Sequence, residues 1–184
     1  DKANEFNGTV NVLGGTDVTL NDTDNLTLGN VTASGNLDAT AATDLTLNGT
    51  INVDSLDLEA TGGAISQGTN GTLTVATGPT NLNAAGAITL DQANDFNGTV
   101  NVLGGTDVTL NDTNELTLGN VTATGNLDAT AATDLALNGT INVDSLDLEA
   151  TGGAISQGAD GTLTVATGPA NYTHANLPTL HQAY

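Results

Sequence analysis

"LTLGNVTASGNLDATAATD" (26–44) is followed at once by "LTLNGTINVDSLDLEATGGA" (45–64), and laying the second under the first decides the fold. Each opens on a Leu-Thr-Leu triplet, breaks briefly, and resumes as a short alternating run ("VTA", "INV"). After a second break each resumes again ("LDATA", "LDLEA"). Alternation of period two puts Leu26 and Leu28 on one side of an extended strand and Thr27 on the other. The breaks are Gly, Asn, Asp, Ser and Thr, which supply turn chemistry. Three strands this short cannot bury an apolar face alone. Stacked copies can, because each strand pairs in parallel with its equivalent above and below. The spacing predicts an all-β chain, a parallel β-helix in the form of a three-sided β-solenoid. A β-sandwich would need hairpin turns and a wider core with aromatics.

The beat continues. "ISQGTNGTLTVATGPTNLNAAGA" (65–87) reads as a third coil and "ITLDQANDFNGTVNVLGGTDVTLNDTNE" (88–115) as a fourth. Coil lengths of 19, 20, 23 and 28 residues make four coils per 90-residue period. The longest holds "FNGTVNVLGGTDVTLND" at 96–112, spelled identically at 6–22. Residues 1–80 match 91–170 except at positions 2, 5, 24, 25, 34, 46, 69, 70 and 80, and no Val, Leu, Ile or Phe changes. A repeat constrained by its packing and free to drift on its surface behaves this way. The organisation expected is a first unit over 1–90 that starts mid-coil, a near-identical second unit over 91–170, and a divergent last coil or cap over 171–184. The expected core columns are Leu26, Leu45, Ile65, Ile88, Leu116 and Leu135 on one face and Val31, Ile51, Leu73, Val100 and Val121 on the next. Leu37, Leu56, Leu82, Val108 and Leu127 make the third.

Composition narrows the function. Lys2 is the only basic residue against 21 acidic ones, a formal charge of −20. Nucleic acid binding needs cationic side chains to displace phosphate counterions, and anionic membrane surfaces repel such a chain. Both partners are excluded. The aromatics are Phe6, Phe96, Tyr172 and Tyr184, and Cys, Met and Trp are absent, which removes disulfides and thiolate metal sites. Low hydrophobicity with high charge can signal disorder, but a disordered segment has no reason to alternate so regularly.

"ANDFNGTVNV…DVTLNDTNELTLGNVTATGNLDATAA…GAISQ" resembles the repeats of filamentous-haemagglutinin-type giant bacterial surface proteins, which include adhesins exported by two-partner secretion or as autotransporter passengers. The resemblance runs to about Pro169. It implies a right-handed parallel β-helix, an extracellular, cell-surface location, and an elongated stalk or adhesive fibre without catalytic residues. It names no ligand.

The carboxylates carry the candidate chemistry. Asp38 falls one coil from Asp57, with Glu59 beside it, and Asp128, Asp147 and Glu149 repeat the arrangement. Stacked outward carboxylates are costly unless a cation intervenes, so these six are the candidate calcium ligands, the one cofactor the residues suggest. No EF-hand or "GGxGxD" loop accompanies them. Carbohydrate cleavage would use paired carboxylates in a groove, usually with a basic residue, and the aromatic platforms for sugar rings are missing. A column of Thr27, Thr46, Thr89 and Thr117, interrupted by Ser66 and Ala136, reads as strand propensity rather than an ice-binding array. The eleven Asn-X-Thr sequons, among them Asn30, Asn48 and Asn120, read first as turn vocabulary. Gln67 and Gln157 occupy inward positions where Leu stands elsewhere and call for an internal partner or a strand end. His174 and His181 carry no ligand pattern.

Uncapped solenoid ends expose strand edges and apolar core, so the stack is expected to continue, into neighbouring repeats of a longer chain or into identical subunits head to tail. Residue 184 is in phase with residues 4 and 94, so a neighbour beginning near Glu5 continues the coil. The protruding loop of the longest coil, with Phe6 and Phe96, is the expected place for lateral contacts. The reading is therefore a structural segment of a secreted, elongated surface fibre or adhesin. A carbohydrate-binding or carbohydrate-cleaving β-helix and a calcium-dependent surface-layer or filament subunit are the alternatives.

Overall fold

The computed structural model describes residues 2–173, and the positions of Asp1 and of 174–184, with His174, His181 and most of the expected last coil, lie outside it. Among the described residues there are twenty-one strands and no helix, and every pairing between strands is parallel. They stack as a β-solenoid of about eight turns. At roughly 4.8 Å per strand step the stack is about 38 Å long.

Leu26–Thr32 shows how one turn is made. Its first three residues pair with Leu45–Leu47 and its last two with the strand Thr50–Val53. Between them the alternation slips, because Leu28 and Gly29 are buried in succession before Val31 turns inward again. That slip is a corner. With Asn36–Ala41, each turn has three straight runs grouped into two hydrogen-bonded sheets, one of eleven strands and one of ten. Leu, Ile, Val and Ala point inward to a single core that is almost wholly closed to solvent. Each fully buried Leu or Ile contributes roughly 1.5–3 kcal/mol over leaving it exposed.

Corners interrupt the backbone ladder, and the Asn and Asp of the breaks repair it. The Asn30 N–H donates to Asn11 Oδ1 at 2.8 Å and the Thr50 N–H to Asn30 Oδ1 at 3.0 Å. The second unit repeats this, with Asn120 N–H on Asn101 Oδ1 and Thr140 N–H on Asn120 Oδ1, both at 3.0 Å. At the other corner Asp17 and Asp107 accept the Asn36 and Asn126 N–H groups. Gly29 and Gly119 lie directly over the amide oxygens of Asn11 and Asn101, where a β-carbon would collide with them. The Asn/Gly richness is thus a corner ladder rather than loose turn composition.

The registers divide the ninety-residue period differently from the four coils read off the sequence. One column runs Leu26, Leu45, Ile65, Ile88, Val108, Leu127, Leu146 and Ala170, all in the 11-stranded sheet. Four turns therefore carry Leu26 to Val108. Leu116, ninety residues on from Leu26, lies half a turn further, in the 10-stranded sheet over Leu135 and Ile155. The opposite column, Val18, Leu37, Leu56, Thr80, Val100, Leu118 and Leu137, crosses between the units in the same way. A unit is four and a half turns, and equivalent residues of the two units face opposite sides of the rod. The 28-residue "coil" is one ordinary turn plus half of the next. The strand Ile88–Phe96 runs through the boundary at residue 90 without a break.

Several expectations change as a result. Val100 and Val121 lie in the 10-stranded sheet, over Thr80 and Val102, instead of continuing Val31, Ile51 and Leu73. Leu82 pairs with Leu58 and Val102 instead of joining Leu56 to Val108. Ile88 stands over Val108 instead of Leu116, and the Thr column runs Thr27, Thr46, Ser66, Thr89 and Thr109, with Thr117 on the other sheet. Thr80, one of the nine differing positions, is not on the surface. It is buried in a core column between Leu56 and Val100, and Ala170 takes its place in the second unit.

Candidate functional site: the acidic ladder and the buried polar knot

The outward face of the 10-stranded sheet carries two adjoining columns. Asp38, Asp57, Asn81 and Asn101 follow one another in register, and beside them Thr40, Glu59 and Asn83. Asp57 and Glu59 are held by amides instead of facing each other bare. Asn36 Nδ2 donates to Asp57 Oδ2 at 2.9 Å, Asn81 Nδ2 to Asp57 Oδ1 at 2.7 Å and Asn83 Nδ2 to Glu59 Oε1 at 3.0 Å. The Asn101 amide then donates to Asn81 Oδ1 at 3.0 Å, so donors and acceptors run along the rod as a chain. Partial burial pushes the Asp38 carboxyl up from the usual range, and the charges of Asp57 and then Glu59 push it the same way. These residues, with Leu58 and Leu103, line a shallow surface hollow.

The half-turn rule moves the second cluster to the opposite sheet. Asp128 pairs with Asp147 and Asp147 with Asn171, while Thr130, Glu149 and Thr173 form the neighbouring column of the 11-stranded sheet. Asp128 is again raised, by burial first and then by Asp147 and Glu149. The structure brings the expected carboxylates together three by three in sequence order. Among the described residues, however, no three His, Asp or Glu side chains are placed to hold one metal ion.

The expected lateral-contact loop is corrected. Phe96 is 2% exposed, ends the strand Ile88–Phe96, and packs in the core, while Phe6 is half-buried against the same core. The inward phase that starts at Ile88 is what carries the Phe96 ring inside. The exposed apolar side chains of that stretch are Leu103 and its counterpart Leu13, ninety residues apart.

Inside the rod lies a polar knot that reading the sequence missed. Asn94, fully buried, accepts from Gln67 Nε2 at 2.6 Å and from the Leu73 N–H at 3.2 Å. Its own amide donates to Gln67 Oε1, Leu90 O and Asn111 O at 3.1–3.2 Å. This is the partner Gln67 called for. Gln157 solves the same problem differently, donating to Gly161 O across a turn at 2.7 Å. One step along, the buried Asp112 accepts the Phe96 N–H on Oδ2 at 3.3 Å and the Asn114 N–H on Oδ1 at 3.0 Å. Burial raises its carboxyl to about 6 against the pull of those N–H groups, with the Asp95 charge adding to the rise. Asp22 makes the equivalent bonds to Phe6 and Asp24 in the first unit. The signal was present: in "VTLND" the alternation Val108, Leu110, Asp112 points the acid inward.

A rod of parallel coils, built from near-identical units and bound by side-chain ladders at its corners, is a β-solenoid repeat protein. Within that class, the family described as repeats of unknown function (DUF5649) matches residues 15–56, 41–103 and 105–146, and the chain belongs to it. The first and third matches are offset by the same ninety residues that separate the units. No curated protein and no solved structure matches the chain.

Proposed function

We propose that this chain is a structural segment of a secreted bacterial surface fibre or adhesin, acting as a stiff, acidic spacer that holds other parts of the assembly away from the cell. The observation that carries the reading is the uninterrupted core. Two units join through one strand, Ile88–Phe96, with the columns continuous across the junction, so adding units lengthens the rod without adding a hinge. Repeat arrays whose units touch only their neighbours have this property. The acidic columns on both sheets, amide-bonded at Asp57 and Glu59, keep the surface polar, and the charge of −20 keeps rods soluble and mutually repelling. Surface export is supported by the resemblance to exported repeat proteins.

Small-angle scattering on chains of two, three and four units tests the spacer reading. Each added unit should lengthen the rod by about 22 Å at roughly 4.8 Å per turn, with an unchanged cross-section. A cross-section that grows with chain length removes the reading. Protease treatment of intact producing cells tests location: a segment that survives until the cells are lysed is not on the surface.

A further inference from the structure

The corners of the rod carry a reaction of their own. The chain has five Asn-Gly pairs, and four of them, at Asn48, Asn70, Asn97 and Asn138, lie with a turn of the rod on each side. All four are followed by Thr, and all four Asn residues are exposed. In such a pair the Gly nitrogen can attack the Asn side-chain carbonyl, because Gly has no β-carbon to crowd the approach. The N–Cγ bond forms, the Cγ–Nδ2 bond breaks, and the amide leaves with the Gly proton as ammonia. Water, the one co-reactant, then opens the five-membered succinimide to aspartate or isoaspartate. Two groups must be free for this, the Asn amide and the Gly N–H.

The fold frees both at two of the four pairs. Asn30 spends its Oδ1 on the Thr50 N–H one turn on. Asn48, in the next turn, meets Gly68 instead. The Gly68 N–H is already given to Leu47 O at 2.8 Å, and a β-carbon there would strike the Asn48 amide oxygen. Among the described residues, neither the Asn48 side chain nor the Gly49 N–H has a hydrogen-bond partner. Asn138 and Gly139 repeat the arrangement against Gly158, whose N–H goes to Leu137 O at 2.9 Å. The other two pairs are tied. The Gly71 N–H closes a turn on Gly68 O at 2.8 Å. The Asn97 amide donates to Val75 O at 3.3 Å and to Asp95 Oδ1 at 2.9 Å.

We propose that Asn48 and Asn138 are modification sites, where the folded rod deamidates spontaneously and exchanges a neutral corner amide for a carboxylate. The inference is independent of the spacer reading. Leu45–Leu47 leads into the first site from the 11-stranded sheet and Leu135–Leu137 into the second from the 10-stranded sheet, so the two new charges fall on opposite sides of the rod. The corners accept the product. Asp17 and Asp107 already hold backbone N–H groups as Asn11 and Asn101 do. Between the units Asp24 corresponds to Asn114, Asn25 to Glu115 and Asn70 to Asp160, so amide and carboxylate replace each other at three of the nine differing positions.

The test holds the whole 184-residue chain, folded, in warm and mildly alkaline buffer. Samples drawn over time are unfolded, cut before aspartate, and weighed as peptides. Peptides 44–53 and 134–143 carry the two sites and differ at Thr46 and Ala136, so each is followed separately. Both should change from amide to acid about tenfold faster than Asn70 and Asn97, the factor that one retained hydrogen bond is worth. In urea the four Asn-Gly-Thr sites should react at comparable rates. Equal rates in the folded rod, or no conversion, overturn the inference. The same ranking in urea also overturns it, because local sequence would then set the order. Asn48→Asp with Asn138→Asp should keep the circular dichroism of the parent chain, and loss of the fold counts against a carboxylate at these corners and overturns the proposal.

Discussion

The half-turn offset between units can be tested with one pair of residues. Thr89 stands in register with Thr109 on the outward side of the 11-stranded sheet. The four-coil division would instead put it beside Thr117, which the structure places on the other sheet against Ala136. Neighbouring parallel strands bring partner Cα atoms to about 4.8 Å, inside the roughly 4.4–6.8 Å that a disulfide spans. Thr89→Cys with Thr109→Cys should therefore close on oxidation, and Thr89→Cys with Thr117→Cys should not. The bridge closes a loop of 20 residues, by the register of Ile88 on Val108. Chain entropy for that loop stabilises the fold by about 3 kcal/mol before any strain at the new bond. Thiol titration and intact mass follow closure, and the shift in denaturation midpoint between oxidised and reduced protein gives the magnitude. Closure of 89 with 117 while 89 with 109 stays reduced would refute the four-and-a-half-turn period.

Other expectations follow from the same geometry. Asp112 has its carboxyl raised to about 6, so the folded state binds more protons than the unfolded one between the ordinary carboxylate range and that value. Stability should accordingly rise as pH falls through about 6, and Asp112→Asn should flatten the pH 7-to-5 slope of the denaturation midpoint; an unchanged slope places the titration elsewhere. The same substitution leaves either the Phe96 or the Asn114 N–H facing an amide, costing about 1–3 kcal/mol at neutral pH and offset in part by loss of the buried charge. Leu110→Ala, in a closed column, should cost about 2–5 kcal/mol, and Leu20→Ala, the same residue in the first turn, less than about 2. Equal losses in denaturant titrations would mean that burial does not distinguish the two sites. Asn101→Ala removes the acceptor of the Asn120 N–H and should speed hydrogen exchange at that amide, while the matching corner amide of Asn30 in the first unit, held by Asn11, keeps its rate. Calcium or chelator should leave the melting temperature unmoved, because amides already hold Asp57 and Glu59; a rise with calcium would revive a cation at Asp38, Asp57 and Glu59.

Most of the site was legible as a list of residues and not as an arrangement. The pairing of Asp38 with Asp57 and of Asp128 with Asp147 follows from the 19-residue spacing of adjacent coils, and both pairs are in register. The placement of the two clusters on opposite sheets could not be read, since it depends on how many turns lie between them. The amides that hold Asp57 come from Asn36 on its own turn's predecessor and from Asn81 one turn later, and nothing in the local sequence marks them as partners. Phe96 was misjudged, and Asn94 passed over, for a related reason. "DQAND" interrupts the alternation and looks like a loop, yet the strand runs through it as far as Phe96 because neighbours on both sides hydrogen-bond to it.

By itself the sequence determined the strands, the turns and the fact of stacking. Alternation and turn chemistry are local properties, and a core made of repeated columns leaves its mark on every repeat. Tertiary structure alone decided the pitch. A 28-residue interval holds either one long coil or a turn and a half, and both keep the alternating Val and Leu of its strands inward, Leu103 excepted. Only the pairing of Ile88 with Val108, supported by Asn94 and Gln67 filling the gap where the ladder shifts, selects the second. That choice is made by contacts between residues some twenty positions apart, and it turns two identical stretches of sequence to opposite sides of one rod.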